Sequence, residues 1–464
     1  MYLDNKYYHF VTIILATLSY LGDGQQLCDS TTCKAPNCHC SGVNIPGGFH
    51  PEDIPQMVLL SFDDAVNWDN WDYYLKLFPP DGHRKNPNGC PISMTLFVSH
   101  NYTDYCMVRK LHGRGIEIAD HSLTHQNNTH TDCTSDLHYQ YLQVPHAWWK
   151  NASEEELANE ILTQRHNLAN LAEIPIEHIR GWRSPFLQPT GDTMFTILWK
   201  NNFTYDATLT HPFPRNVYSP VIWPFTLDSP LAIGCNIKPC PQKSYPGFWE
   251  VPVVTLMDYR EHLPCAYVDF CQNKPRNKDE AFQILWKNFL RNYRTNRAPY
   301  YLNLHSPWLD KTDNLDAMDE FLNRLVAMED VFIINVHQAL EWMRSPTSNM
   351  NIMDFLPWQC PFFKPNIEDG IYCVMTYKPR TTTTKAMYSN RPNKNSNTDV
   401  RKTNQTKVNS NINRAYPPGF FEEEQITRHT TKRRPWFLRN SAARNNSFKF
   451  VIGWVSWFWI LFSK

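Results

Sequence analysis

The chain carries no excess of either charge: 45 Lys and Arg balance 45 Asp and Glu, so the formal net charge is zero at pH 7. A basic stripe able to track phosphates is therefore missing, and no nucleic-acid partner is expected. No glycine-rich phosphate loop opens a helix, which argues against a dinucleotide-binding sheet. No apolar run reaches the ~20 residues that a membrane helix needs. The apolar stretches near the two ends, Phe10–Leu21 and Val451–Phe462, are each only about 12 residues long.

What is present suffices for a core. Hydrophobic residues make up 42% of the 464, and charged ones 19%. That length allows one large domain with extensions. The 16 Trp and 22 Tyr are read mainly as core. The rival reading is platforms in a cleft, where an aromatic face meets the apolar face of a sugar ring.

The N-terminus, residues 1–24, reads as a signal peptide: Lys6, then Phe10–Leu21, then the small residues Gly22 and Gly24. Thirteen cysteines and six N-x-S/T sequons, at Asn101, Asn127, Asn151, Asn202, Asn404 and Asn445, agree with a secreted or extracellular chain. Residues 25–52 form a Cys-rich segment. Cys28, Cys33, Cys38 and Cys40 could hold a metal, but their spacing matches no usual zinc knuckle. A small disulfide knot is the favoured reading. Cys235/Cys240 and Cys265/Cys271 read as local loop clips. Cys360 and Cys373 would tie down an extension over 346–377. An odd count leaves one thiol over.

Residues 378–447 are rich in Asn, Thr, Lys and Arg, cannot bury a core, and read as a disordered polar linker. Residues 448–464 are a hydrophobic tail. Ser441–Ala443 precede it, in the layout of a glycolipid-anchor signal. Lys464 and the short spacer count against that reading. A short membrane anchor and a plain apolar tail stay open, so a membrane tether through the tail is one of three alternatives.

Between 53 and 345, strand-like and helix-like runs alternate. The strands are expected at Met57–Phe62, Ile92–Val98, Gly115–Ala119, His178–Trp182, Phe203–Ala207, Phe248–Thr255, Ala298–Leu304 and Val331–Val336. A helix should start at Ser153, which forms a capping box with Glu156 and is followed by an apolar stripe of Leu157, Ile161, Leu168 and Leu171. Two more helices are expected at Asp279–Arg294 and Leu315–Met328. This alternation predicts a parallel α/β architecture, and eight or so strands favour a barrel.

The first strand is the one around which the rest is arranged. Its apolar run, Met57–Leu60, stops at Asp63 and Asp64. His121 and His125 follow another strand, Arg183 a third, and His305 stands near the last. In a parallel barrel the C-terminal strand ends open onto one face, so these residues should converge. Histidines four apart on a helical turn lie on one side. With one carboxylate they make a two-histidine, one-aspartate set with positions left open, as in a catalytic zinc site. Asp64 is then the ligand and Asp63 the general base, with Arg183 holding the base ionised. His305 gives a proton to the leaving amine. A glycosidase pair is disfavoured. Such carboxylates flank a bond at ~5 Å or more, and neighbours on one strand end seldom face each other.

These residues resemble the polysaccharide deacetylases, carbohydrate esterase family four, and in particular the chitin deacetylase-like proteins of invertebrates. SFDD at Ser61–Asp64, HSLTH at His121–His125, RSPF at Arg183–Phe186 and LNLH at Leu302–His305 match four family motifs in order. The Cys-rich start and NPNGCPISMTLFVSHNYTDY at Asn86–Tyr105 extend the likeness to about Cys28–Arg344. The resemblance implies a distorted (β/α) barrel of the NodB-like kind. It implies Asp63 as base, Asp64, His121 and His125 as zinc ligands, Arg183 as the residue that orients the base, and His305 as acid. It also implies a backbone N–H of Phe186 for the oxyanion, and Trp249 and Leu302 lining the acetyl-methyl pocket. The fourth motif departs: FWEVPV at Phe248–Val253 occupies its region. No six-cysteine chitin-binding module is apparent. The expected activity is removal of N-acetyl groups from N-acetylglucosamine units of chitin or a related glycan. A catalytically silent glycan binder and an esterase of O-acetylated glycans are the rivals.

Overall fold

The computed structural model describes residues 28–360, apart from 30, 127–145, 213–215, 217 and 232, together with Cys373. The chain divides into two compact units, Met1–Thr383 and Thr384–Lys464, and every described residue belongs to the first. The signal-peptide reading, the polar linker, the apolar tail and the sequons at Asn127, Asn404 and Asn445 lie outside the described residues. Among the described residues no helix is long and apolar enough to cross a membrane.

β1 (Gln56–Asp64) pairs with three other strands of the sheet, and it is buried along its length up to Asp63. A strand covered on both faces reads as a continuous apolar run, and this is what Met57–Leu60 supplies. The sheet also contains β2 (Thr95–Val98), β3 (Glu117–Asp120), β4 (Gly181–Trp182), β5 (Tyr205–Asp206), β7 (Phe225–Leu227), β8 (Tyr245–Glu250) and β12 (Tyr300–His305). Their order is β12-β1-β2-β3-β4-β5-β8-β7, and β13 (Val331–Ile334) pairs with the first half of β1. All pairs are parallel except β7 with β8. Short strands β6 (Thr210–His211), β9 (Val253–Val254), β10 (Leu256–Met257) and β11 (Pro264–Cys265) pair outside it. The expected parallel α/β barrel is thus present in distorted form. Among the described residues the hydrogen-bonded path starts at β12 and ends at β7 without joining.

Strand alternation divides the core in two. Met57 and Leu59 point to one side and meet Phe97, Ala119, Tyr205, Trp249 and Tyr301. Val58, Leu60 and Phe62 point to the other and meet Leu96, Ile118, Leu302, Leu304 and the helices Lys278–Tyr293 and Thr312–Val326. The run expected as one strand over Phe248–Thr255 is interrupted. β8 ends at Glu250, and Pro252, which has no N–H for a ladder, separates it from β9. Gly181 in β4 is required by close approach: a Cβ there would stand 2.1 Å from the Tyr205 ring.

The helix Glu154–Leu171 begins with the expected capping box, Glu156 N–H to Ser153 Oγ and Ser153 N–H to Glu156 Oε2. Leu157, Ile161 and Leu168 are buried, but Leu171 in the last turn is 53% exposed and leaves the stripe. Six disulfides join Cys28–Cys40, Cys33–Cys38, Cys90–Cys360, Cys106–Cys373, Cys235–Cys240 and Cys265–Cys271. The knot, the two clips and the tied extension are all present. The thirteenth cysteine, Cys133, lies outside the described residues.

Candidate active site

The C-terminal ends of four strands deliver polar groups to one place. Asp63 pairs in register with His305 across β1 and β12. β3 is followed by His121, and β4 by Arg183. The backbone turns sharply at Asp64, whose φ is 82°. Asp63 is consequently buried while the Asp64 side chain is half open to solvent. Ser122, His125 and Phe186 also hold positive φ. Such conformations are costly for residues with a Cβ and gather where the surrounding structure fixes them for use.

Asp64, His121 and His125 meet. His121 Nε2 lies 3.7 Å and His125 Nε2 3.5 Å from Asp64 Oδ1. Their donor atoms all fall within 4.8 Å of one another. The histidines do not sit on a helical turn, as their spacing suggests, but on a loop. Ser122 Oγ accepts from the His125 N–H, and Glu160 binds Thr124 through both the N–H and the hydroxyl. Glu160 belongs to the capped helix Glu154–Leu171, so that helix fixes the loop. His121 Nδ1 is 2.8 Å from the Arg183 carbonyl, which can only accept. Nδ1 therefore carries the proton, and Nε2 turns a lone pair toward Asp64. An outer bond of this kind is how a metal-ligating imidazole is oriented. Burial pushes the His121 pKa down to about 4, so the ring is neutral. One carboxylate and two imidazoles, with Asp64 and His125 reachable from solvent, fit a divalent transition metal with open positions. The other described groupings of potential ligands are built on disulfide cysteines.

Beneath this trio lies a buried polar network. Arg183 is fully buried and spends every N–H it has. Nη1 donates to Asp63 Oδ1 at 2.7 Å and to Ser61 Oγ at 3.1 Å. Nη2 donates to Tyr301 Oη at 2.6 Å and Asn303 Oδ1 at 2.9 Å, and Nε to the Ala207 carbonyl at 2.9 Å. The guanidinium also lies 4.0 Å from the Phe97 ring centre. Burial pushes the Asp63 carboxyl up, but Arg183, with His305 and the Tyr267 hydroxyl, outweighs it and holds Asp63 below the usual carboxylate range.

His305 Nδ1 bonds Asp269 Oδ2 at 2.8 Å, and the His305 N–H reaches Asp269 Oδ1 at 3.2 Å. Burial lowers the His305 pKa, but Asp269 overrides it and raises it to about 9. Asp269 is a residue that the sequence reading does not name. Tyr267, also unnamed there, donates its hydroxyl to Asp63 Oδ2 at 2.6 Å. Both come from the loop closed by Cys265–Cys271. The paired cysteines flag the loop in the sequence, but nothing local says which site it faces.

No family model matches the chain. Curated proteins do. Over 349 residues, 75% of this chain and 84% of the relative, it is 34% identical to chitin deacetylase 8 of Bombyx mori. The chain belongs to the chitin deacetylase family. Chitin deacetylase 1 of the same organism is also 34% identical, over 72% of this chain and 59% of its own length. Solved structures with some likeness include a family 4 carbohydrate esterase from Streptomyces lividans, 14% identical over 60% of this chain and 91% of that one, TM-score 0.32. A peptidoglycan deacetylase from Bacillus subtilis is 13% identical over 67% and 100%, TM-score 0.33. Likenesses of that size add nothing to the family assignment.

The remaining expected site residues of this family member divide. Phe186 stands at the site, its ring 4.9 Å from that of His125. Leu302 does not. Tyr301 and Asn303 face Arg183, so alternation turns Leu302 to the opposite side, where it is wholly buried between sheet and helices. Trp249 is absent from the site as well. It is buried in the interior cluster, 5.4 Å from His39 and 5.7 Å from the Arg344 guanidinium. Neither can line an acetyl pocket from these positions. Between the RSPF and LNLH stretches it is the Tyr267–Asp269 loop, not Trp249, that reaches the site. A cavity of about 590 Å³ lies apart from the chemistry, lined among others by Thr255, Met257, Lys287 and Leu290.

Proposed function

We propose that this chain is a secreted, metal-dependent deacetylase that frees the amino groups of N-acetylglucosamine units in chitin or a related extracellular glycan. One observation carries the reading: a carboxylate held on both oxygens, Asp63, and an imidazole held by Asp269, His305, flank the Asp64–His121–His125 trio. A non-catalytic binder needs no such acid and base. The family's named activity supports the substrate class.

Zinc, or another divalent transition metal held by Asp64, His121 and His125, supplies a Lewis acid for the acetyl carbonyl and an acidified water. Asp63 takes the proton of the attacking water on Oδ2, the oxygen that lies 3.9 Å from His121 Nε2. Arg183 keeps the base ionised and in plane. The Phe186 backbone N–H, on the turn beside His125, helps hold the developing oxyanion. The carbon–nitrogen bond then breaks, and His305 passes its Nε2 proton to the leaving amine. Its Nδ1 stays with Asp269, so the proton to be given is on Nε2, 3.9 Å from Asp64 Oδ2. The products are acetate and a free amino sugar.

Secretion is supported by the six disulfides and by the described sequon asparagines, Asn101, Asn151 and Asn202, all of which are exposed. The catalytic domain is taken as residues 53–345, with 346–377 tied to it.

The test is acetate release from chitooligosaccharides with and without a chelator, alongside O-acetylated substrates. Asp64→Asn should lose metal. Asp63→Asn should keep it and lose about 10²–10⁴-fold in kcat. Equal metal loss in both variants, or full activity in Asp63→Asn, overturns the division of labour. Chelator-insensitive acetate release overturns the metal. Wild-type protein that holds metal but releases no acetate is the silent binder.

A further inference from the structure

The Cys265–Cys271 loop reaches the base and the acid at once. Asp269 binds the acid, and Tyr267, two residues earlier, reaches the base. The Tyr267 ring also lies against the His305 imidazole, with centres 4.7 Å apart and planes at 35°. Tyr267 is buried, packed with Leu187 and Val253, so its hydroxyl has one fixed place to point.

That place is specific. Asp63 Oδ1 is taken by Arg183. Arg183 alone would leave the carboxylate free to turn about that contact. Tyr267 holds the second oxygen, the one directed at the metal ligands. Two donors on two oxygens fix the plane of a carboxylate where one does not. The same ring then fixes the distance from that plane to the imidazole.

We infer that Tyr267 is a positioning residue for the reaction: its hydroxyl aims Asp63 Oδ2 at the water, and its ring sets the spacing between base and acid. This rests on Asp63 being the base. Tyr267 acts through the base and the acid rather than on the substrate, and it binds no metal. Its loss therefore falls on kcat.

The experiment is a double-mutant cycle with Tyr267→Phe, which keeps the ring and its volume and removes only the hydroxyl. Activity on chitooligosaccharides, metal content and Tm are measured for the single variants and for Asp63→Asn/Tyr267→Phe. A lost hydrogen bond to a charged group should cost roughly 10- to 100-fold in kcat. KM should stay within about twofold and metal content should not change, while Tm falls by about 1–6 °C for the one orphaned buried acceptor. In the Asp63→Asn background the same substitution should cost almost nothing, because there is no base left to aim. Wild-type kcat in Tyr267→Phe, beside a large loss in Asp63→Asn, overturns the Tyr267 assignment and leaves the base intact. An equal fold-loss in both backgrounds also overturns it, since it marks a general packing role. Wild-type kcat in Asp63→Asn removes the base, and the positioning role of Tyr267 falls with it.

Discussion

Arg183→Lys keeps the charge and removes the fork. Arg183 serves five acceptors through five N–H groups: Asp63, Ser61, Tyr301, Asn303 and the Ala207 carbonyl. An ammonium has three N–H groups on a shorter reach, so at least two acceptors lose their donor. All of this is buried. Each orphaned acceptor costs ~1–3 kcal/mol, which sums to about 2–6 kcal/mol of stability. For a domain of this size each kcal/mol lowers Tm by about 1–2 °C. The expected fall is roughly 2–12 °C. Activity should fall further than stability accounts for, by ~10-fold or more, because Asp63 loses its in-plane partner. Thermal unfolding at one fixed scan rate, with acetate release and metal content on the folded fraction, separates the two effects. A variant with Tm within a degree of wild type and full kcat would refute the reasoning, since it would mean that charge alone holds the base.

Asp269→Asn should move the alkaline limb of the kcat–pH profile to lower pH. His305 must be protonated to act as the acid, its pKa stands at about 9 because Asp269 outweighs burial, and an amide removes that support. A bound cation lowers the limb in both enzymes and leaves the sign of the difference unchanged; an unmoved limb would exclude His305 as the acid. Gly181→Ala should destabilise by at least ~1–3 kcal/mol, seen as a lower Tm, because its Cβ would overlap the Tyr205 ring at 2.1 Å in a close-packed interior.

How much of the site is legible in the sequence depends on where each residue sits. Asp63, Asp64, His121, Arg183 and His305 each follow an apolar run, so parallel topology alone brings them to one face. Leu302 is misplaced by its motif although period two could place it: it lies three residues before His305, an odd step, and so on the other side of the strand. Trp249 is the next-to-last residue of β8 and lies in the interior cluster, and composition does not distinguish an interior tryptophan from one in a cleft. Tyr267 and Asp269 lie in a turn with no periodicity at all. Their role comes from partners 204 and 36 residues away, which only the fold brings near. The loop form of His121–His125 is hidden for a similar reason. It depends on Glu160, supplied by a helix whose cap is legible but whose docking is not.

The cysteines that fasten the end of the described chain have a consequence for proteolysis. Cys360 and Cys373 are each bonded to a separate point of the barrel domain, Cys90 and Cys106. A peptide bond cut between them severs the backbone but releases nothing. Everything beyond the cut remains joined through Cys373 to the helix Tyr105–Gly113 until a reductant acts. Shedding of whatever follows therefore requires cleavage after Cys373, and the catalytic barrel so released keeps both clasps.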